Sequence, residues 1–130
     1  MESYNESLTI IEKVFGKKHP SYADTLNNVG ITCDNMGKYE EALEKYCESL
    51  AINGEVLGKK HTSYAGTLNN IAFTYCNMDR CKEALGKYQE CLKIFKEILG
   101  EKHRLYAEAL NNMGLVYDKL GDYEKALKIY

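Results

Sequence analysis

The stretch HPSYADTLNN (His19–Asn28) returns as HTSYAGTLNN (His61–Asn70) and again as HRLYAEALNN (His103–Asn112). The interval is 42 residues each time. Self-similarity at a fixed period outranks every local signal, because it means that one supersecondary unit is laid down repeatedly along the chain. Working outward from the phrase, Lys17–Gly58 and Lys59–Gly100 agree at 24 of 42 positions without a gap. Glu101–Tyr130 carries the pattern through most of a third copy. Met1–Gly16 aligns with the tail of a copy: Tyr4, Ser7, Leu8, Ile10 and Gly16 stand where Tyr46, Ser49, Leu50, Ile52 and Gly58 stand later. The expected organisation is a single repeat array over residues 1–130. A partial repeat at 1–16 supplies only a second helix, full repeats occupy 17–58 and 59–100, and the third, 101–130, is truncated in its second helix.

Each copy reads as two helices. Over Ser21–Met36, the residues Leu26, Val29, Gly30, Cys33 and Met36 recur at three- and four-residue spacing, the signature of one helical face. Over Lys38–Leu57 the apolar stripe is Tyr39, Ala42, Leu43, Tyr46, Ser49 and Leu50. Gly37 separates the two helices and suits a left-handed residue at a helix end. Gly121 repeats it, whereas the middle copy has Asp79, for which a looser turn is expected. Pro20, Thr62 and Arg104 open the first helix of each copy, and proline is tolerated there because no backbone donor is missed. Small residues recur at Gly30, Ala72 and Gly114 and at Ala42, Ala84 and Ala126, where two helix backbones would approach closely. Gly54, Gly66 and Gly86 lie inside the expected helices, each at a cost of up to about 1 kcal/mol against alanine. With Cys81 in place of the aromatic of Tyr39 and Tyr123, and with Asp79 and Arg80 disturbing the turn before it, the middle repeat is expected to be the softest.

One hairpin cannot bury both of its faces, so hairpins stack and share a continuous core. The fold class expected is all-α, a right-handed superhelical solenoid of antiparallel helix pairs. Composition agrees: Leu, Ala, Glu, Lys and Tyr dominate, with one proline and no tryptophan. The net charge is -2 with acids and bases mixed, which argues against nucleic acid as a partner. No apolar run is long enough to span a bilayer and no signal peptide opens the chain, so no membrane association and a cytoplasmic location are expected.

The run LNNVGITCDNMGKYEEALEKYCESLAI (Leu26–Ile52) resembles a tetratricopeptide repeat. Gly30, Gly37, Tyr39, Ala42, Tyr46 and Leu50 sit where that family keeps its packing residues. The 42-residue period, longer than the usual 34, and the A-x-T-L-N-N opening resemble the repeats of kinesin light chains. The resemblance covers essentially the whole chain. It implies a protein–protein interaction scaffold that binds an extended peptide segment of a partner in a concave groove. The alternative is a structural spacer or regulatory segment of a larger signalling or motor-adaptor protein, with the groove filled in cis.

The polar residues do not form a catalytic set. His19, His61 and His103 recur, but equivalent positions of stacked repeats lie at least one helix-packing distance apart, about 8–10 Å. One zinc ion needs every ligand at about 2 Å, so the three cannot share a metal. The expected role is a link residue hydrogen-bonded to a neighbouring helix end. Five cysteines, an odd number with no Cys-x-x-Cys pair, argue against a disulfide framework or zinc knuckle. Cys33, where other copies have Tyr75 and Tyr117, reads as a small buried apolar residue, and Cys91, where the first copy has Ser49, occupies a slot for a small side chain. There is no phosphate loop and no nucleophile motif, so neither enzymatic activity nor a cofactor is expected.

The paired asparagines are the candidate site. By the resemblance, first helices line the groove. Their groove positions are Asp24, Asn27, Asn28, Ile31, Asp34 and Asn35 in the first repeat, Gly66, Asn69, Asn70, Phe73, Cys76 and Asn77 in the second, and Glu108, Asn111, Asn112, Leu115, Asp118 and Lys119 in the third. Asparagine is a poor mid-helix residue, yet its amide both donates and accepts, as an extended peptide backbone does. The second of each pair (Asn28, Asn70, Asn112) is the stronger candidate for peptide contact. The other reading has one asparagine of each pair bonding an adjacent helix. No groove position carries the basic set of the family members that clamp a terminal carboxylate. The acidic, tryptophan-bearing cargo associated with kinesin light chains fits this neutral-to-acidic groove poorly. An apolar or basic extended ligand is expected, with Ile31, Phe73 and Leu115 supplying apolar contact. Because the array begins and ends within second helices, an excised fragment that self-associates head to tail through its truncated ends is also expected.

Overall fold

The computed structural model describes residues 8–10, 12 and 19–121. Of the helix expected over Met1–Phe15 only residues 8–10 and 12 are described, and they are helical, while the second helix of the third repeat lies outside the described residues. Five helices follow: α1 (Pro20–Asn35), α2 (Tyr39–Val56), α3 (Thr62–Asn77), α4 (Cys81–Leu99) and α5 (Arg104–Lys119). Every regular element among the described residues is a helix. They fall into two compact units, Met1–Lys59 and Lys60–Tyr130, and the boundary coincides with the end of the first 42-residue copy to within one residue.

The start of each first helix explains the histidine. His19, His61 and His103 are extended residues whose side chains cap the helix that follows. Their Nδ1 atoms accept from the backbone N–H of Ser21 at 3.0 Å, Ser63 at 3.1 Å and Leu105 at 3.1 Å. An accepting Nδ1 places the ring proton on Nε2. The histidine thus does the work usually given to serine, threonine, aspartate or asparagine, satisfying one of the open donors of a helix N-terminus. The helix end it serves belongs to its own repeat.

The first helices end in a Schellman motif. Lys38 N–H donates to Cys33 O at 2.8 Å and Gly37 N–H to Asp34 O at 3.0 Å, with Gly37 at φ +77°. The middle copy repeats this closely: Arg80 N–H to Tyr75 O at 2.8 Å and Asp79 N–H to Cys76 O at 3.1 Å. Asp79 takes φ +60° to do so. The looser turn expected there is not found, because the aspartate accepts the left-handed backbone instead of the turn opening. Arg80 leaves the turn undisturbed too: it pairs with Glu83 and lies over the Tyr75 ring, 5.0 Å from its centre.

In unit 1, α1 packs on α2. Ala23, Leu26, Val29 and Cys33 of α1 and Ala42, Tyr46 and Ser49 of α2 are all buried. Burial pushes the Cys33 thiol above its ordinary range, with Glu41 adding to the effect. Met36, expected on the buried face, is exposed, since it caps the helix and points out of the turn. Ser49 does more than fill a small slot: its hydroxyl donates to Ala23 O at 2.8 Å in the fully buried interior. In unit 2, α4 packs on both α3 and α5. Ala72, Ala84, Tyr88 and Val116 form a buried cluster there, with Tyr75, Cys76, Cys81, Leu85 and Met113 against it. Gly66 and Gly86 sit within regular helix, and nothing stands within 4 Å of where a side chain would begin.

Candidate functional site

A recess of about 350 Å³ opens in unit 2. Phe73, Cys76 and Asn77 of α3 form one wall, and Asn112, Leu115, Asp118 and Lys119 of α5 form the other. Tyr88 of α4 and Val116 of α5, both buried, lie beneath. The side chains converge for a periodic reason. Positions 73, 76 and 77 share one face of α3, and 112, 115 and 119 share one face of α5 at three- and four-residue spacing. Because α4 packs on both helices, the space between the two faces is left open above it.

Seven of the expected groove positions therefore meet around one cavity: Phe73, Cys76, Asn77, Asn112, Leu115, Asp118 and Lys119. Phe73 and Leu115 are 50% and 51% exposed, a large apolar surface for a folded chain to leave in water. The amides of Asn77 and Asn112 stand on opposite walls. Asn69 and Asn70 precede the recess on α3 and do not line it. Asn70 is half-buried, and Asn69 turns its Oδ1 inward, buried and without a hydrogen-bond partner. Asn111 is exposed beside the recess wall. In unit 1, Asn28, Ile31 and Asn35 are exposed along one face of α1, and Asn27 is half-buried.

The floor is chemically quiet. The Tyr88 hydroxyl donates to the Cys76 thiol. Burial, aided by Cys81, pushes the Cys76 thiol up to about 11, and burial likewise raises Tyr88. Both stay protonated near neutrality, so the recess offers neutral groups rather than a nucleophile. At its edge Lys119 Nζ donates to Cys76 O at 3.2 Å and lies 3.7 Å from Asp79 Oδ1. The sequence left Tyr88 and Val116 unassigned to the site. Their small-to-large neighbours, Ala72 and Ala84 under Tyr88, were the available signal that this ring is fully covered. No group of three or more metal-ligating side chains comes together among the described residues, and no helix there is long and apolar enough to cross a membrane.

Comparison with known proteins places this geometry in context. Solved structures with the same fold include BtubC (BKLC) from P. vanneervenii, at 23% identity and a TM-score of 0.89 over 98% of this chain and 51% of that one. Another holds the nearly identical TPR-like repeats of a kinesin light chain-type protein of Podosopora anserina, at 20% identity and a TM-score of 0.85 over 98% of this chain and 61% of that one. The present chain thus spans between half and two thirds of these relatives. No curated protein matches it. The tetratricopeptide repeat profile matches residues 2–55 and 63–130, nearly the whole length. Paired helices, small residues at the crossings and the profile agree: the chain belongs to the tetratricopeptide repeat family, with a fold like that of kinesin light chain repeats.

Proposed function

We propose that this chain is a protein-interaction scaffold that grips an extended segment of a partner protein along its first helices. Repeats of this family generally mediate protein–protein contact and are typically non-catalytic. The observation that carries the finer reading is the recess between Phe73 and Leu115. Its size suits one large apolar side chain, and Asn77 and Asn112 stand where they could hold the main chain on either side of it. The half-exposed Phe73 and Leu115 favour an apolar anchor. The carboxylate of Asp118 at the recess favours a neutral or basic flank over an acidic one.

Pull-down from a lysate followed by calorimetric titration of the recovered partner tests this. Replacing Asn77 and Asn112 by alanine should weaken binding with an unchanged melting temperature. Lost stability with unaltered affinity would assign the asparagines to packing instead.

A further inference from the structure

Two departures from the repeat pattern meet in space. At the left-handed turn, the first and third copies carry Gly37 and Gly121, but the second carries Asp79 at φ +60°. At the last residue of the first helix, the first two copies carry Asn35 and Asn77, but the third carries Lys119. These two exceptions pair with each other, Lys119 Nζ lying 3.7 Å from Asp79 Oδ1. Aspartate is one of the few side chains that takes the left-handed region as a single residue, so the turn is kept while a carboxylate stands where the other copies have none. Lys119 lines the recess, and both residues line an adjoining hollow of about 530 Å³ with Arg80, Cys81, Lys82 and Glu83. Arg80 does not compete for Asp79, because it is engaged with Glu83 and Tyr75.

We infer that Asp79 and Lys119 form a charge latch that sets which ligand charge the recess accepts. This rests on the reading that the recess takes a side chain of an extended partner segment. With the latch closed, neither Lys119 nor Asp79 offers an unneutralised charge to an approaching segment. Lys119 stays tied to the carboxyl end of α3 through Cys76 O, where a cation is favoured by the helix dipole. Removing Asp79 leaves the ammonium unneutralised at the recess edge and favours an acidic flank. Removing Lys119 uncovers the Asp79 carboxylate and favours a basic flank. Removing both leaves the asparagine and glycine that the first copy carries at these positions as Asn35 and Gly37.

The test uses the full chain and two short labelled peptides, each with a central phenylalanine, one flanked by lysines and one by glutamates. Asp79→Gly and Lys119→Asn introduce residues the chain already uses at these positions, and Lys119→Gln gives a second variant if the first fails to fold. The ratio of the two affinities should move about two- to fivefold toward the glutamate peptide in Asp79→Gly, and as far toward the lysine peptide in Lys119→Asn, as expected of exposed charge pairs. The double variant should return near the native ratio. Binding of both peptides with an unchanged ratio in the single variants overturns the latch and leaves the recess reading standing. Failure of both peptides to bind the native chain overturns the recess reading and the latch together.

Discussion

The ring of Tyr46 lies directly against the backbone of Gly30: a Cβ built on that glycine would stand 2.6 Å from Cε1 and 2.7 Å from Cδ1. Tyr46 is 1% exposed, so the ring has no open side to move into. Gly30→Ala should therefore overpack the α1–α2 crossing and cost about 1–3 kcal/mol, despite alanine's better helix propensity. Denaturant unfolding of the two proteins measures this; a variant of equal or greater stability would show that the two helices separate freely. In unit 2 the equivalent Ala72 shares its buried cluster with Tyr88, so the second hairpin accommodates the methyl group that the first excludes.

Gly66→Ala and Gly86→Ala should act oppositely. Both glycines are helical and a methyl group at either meets nothing within 4 Å. Each substitution should stabilise by up to about 1 kcal/mol by lowering the entropy of the unfolded chain. The same unfolding experiment checks it, and destabilisation at either site would mean the backbone there needs glycine for another reason.

His61→Ala should cost about 0.5–2 kcal/mol, the usual loss for an N-cap, while His61→Asn should retain most of the stability because its amide oxygen can accept from Ser63 N–H. Melting curves of the three proteins decide this. Equal losses in both variants would show that the ring is needed for packing rather than for the cap.

Alkaline pH should destabilise unit 2. Burial raises Cys76 from 9.0 to about 11 and Cys91 from 9.0 to about 12, with nearby Cys81 and Glu90 respectively adding to the shift. A raised folded value means the fold favours the neutral thiol. That contribution is complete below pH 9 and is lost as the pH rises through 11 and 12. The melting temperature should fall steadily above pH 9. Cys91→Ser should flatten part of the fall, since Ser49 fills the matching slot with a hydroxyl bonded to Ala23 O. A melting temperature constant to pH 11 would contradict the burial of these thiols. Thiol labelling gives a parallel check: exposed Cys47 should react before buried Cys33 and Cys91.

The hairpins were legible because their signals are local and repeated. Helix ends fell within one residue of α1 and α2, since Pro20, Gly37 and the apolar spacing all act over a single turn. Asp79 misled because a sequence shows the preference of a residue, not what two good hydrogen bonds will make it accept. The histidines were read as link residues bonded to a neighbouring helix end, and they do bond a helix N-terminus; that the acceptor is Nδ1, serving as an N-cap, depends on which ring nitrogen faces the chain and was not legible. At the candidate site, Phe73, Asn77, Asn112, Leu115 and Lys119 could be named by their repeat register once the family resemblance had assigned the first helices to the groove. Their union with Tyr88 and Val116, and the pairing of Lys119 with Asp79, depend on how three helices pack and could not be read along one. The inward turn of Asn69 Oδ1 is a rotamer choice that the register does not encode.

The central claim is that the recess between Phe73 and Leu115 anchors an extended partner segment through an apolar side chain. An array of short peptides varying in charge and apolar content, probed with the native chain and with a Phe73→Ser, Leu115→Ser variant, tests it most directly. The account predicts binding concentrated in peptides with a large apolar residue and neutral or basic flanks, and its loss in the variant at unchanged melting temperature. A preference for strongly acidic peptides, or binding that survives both substitutions, would contradict it.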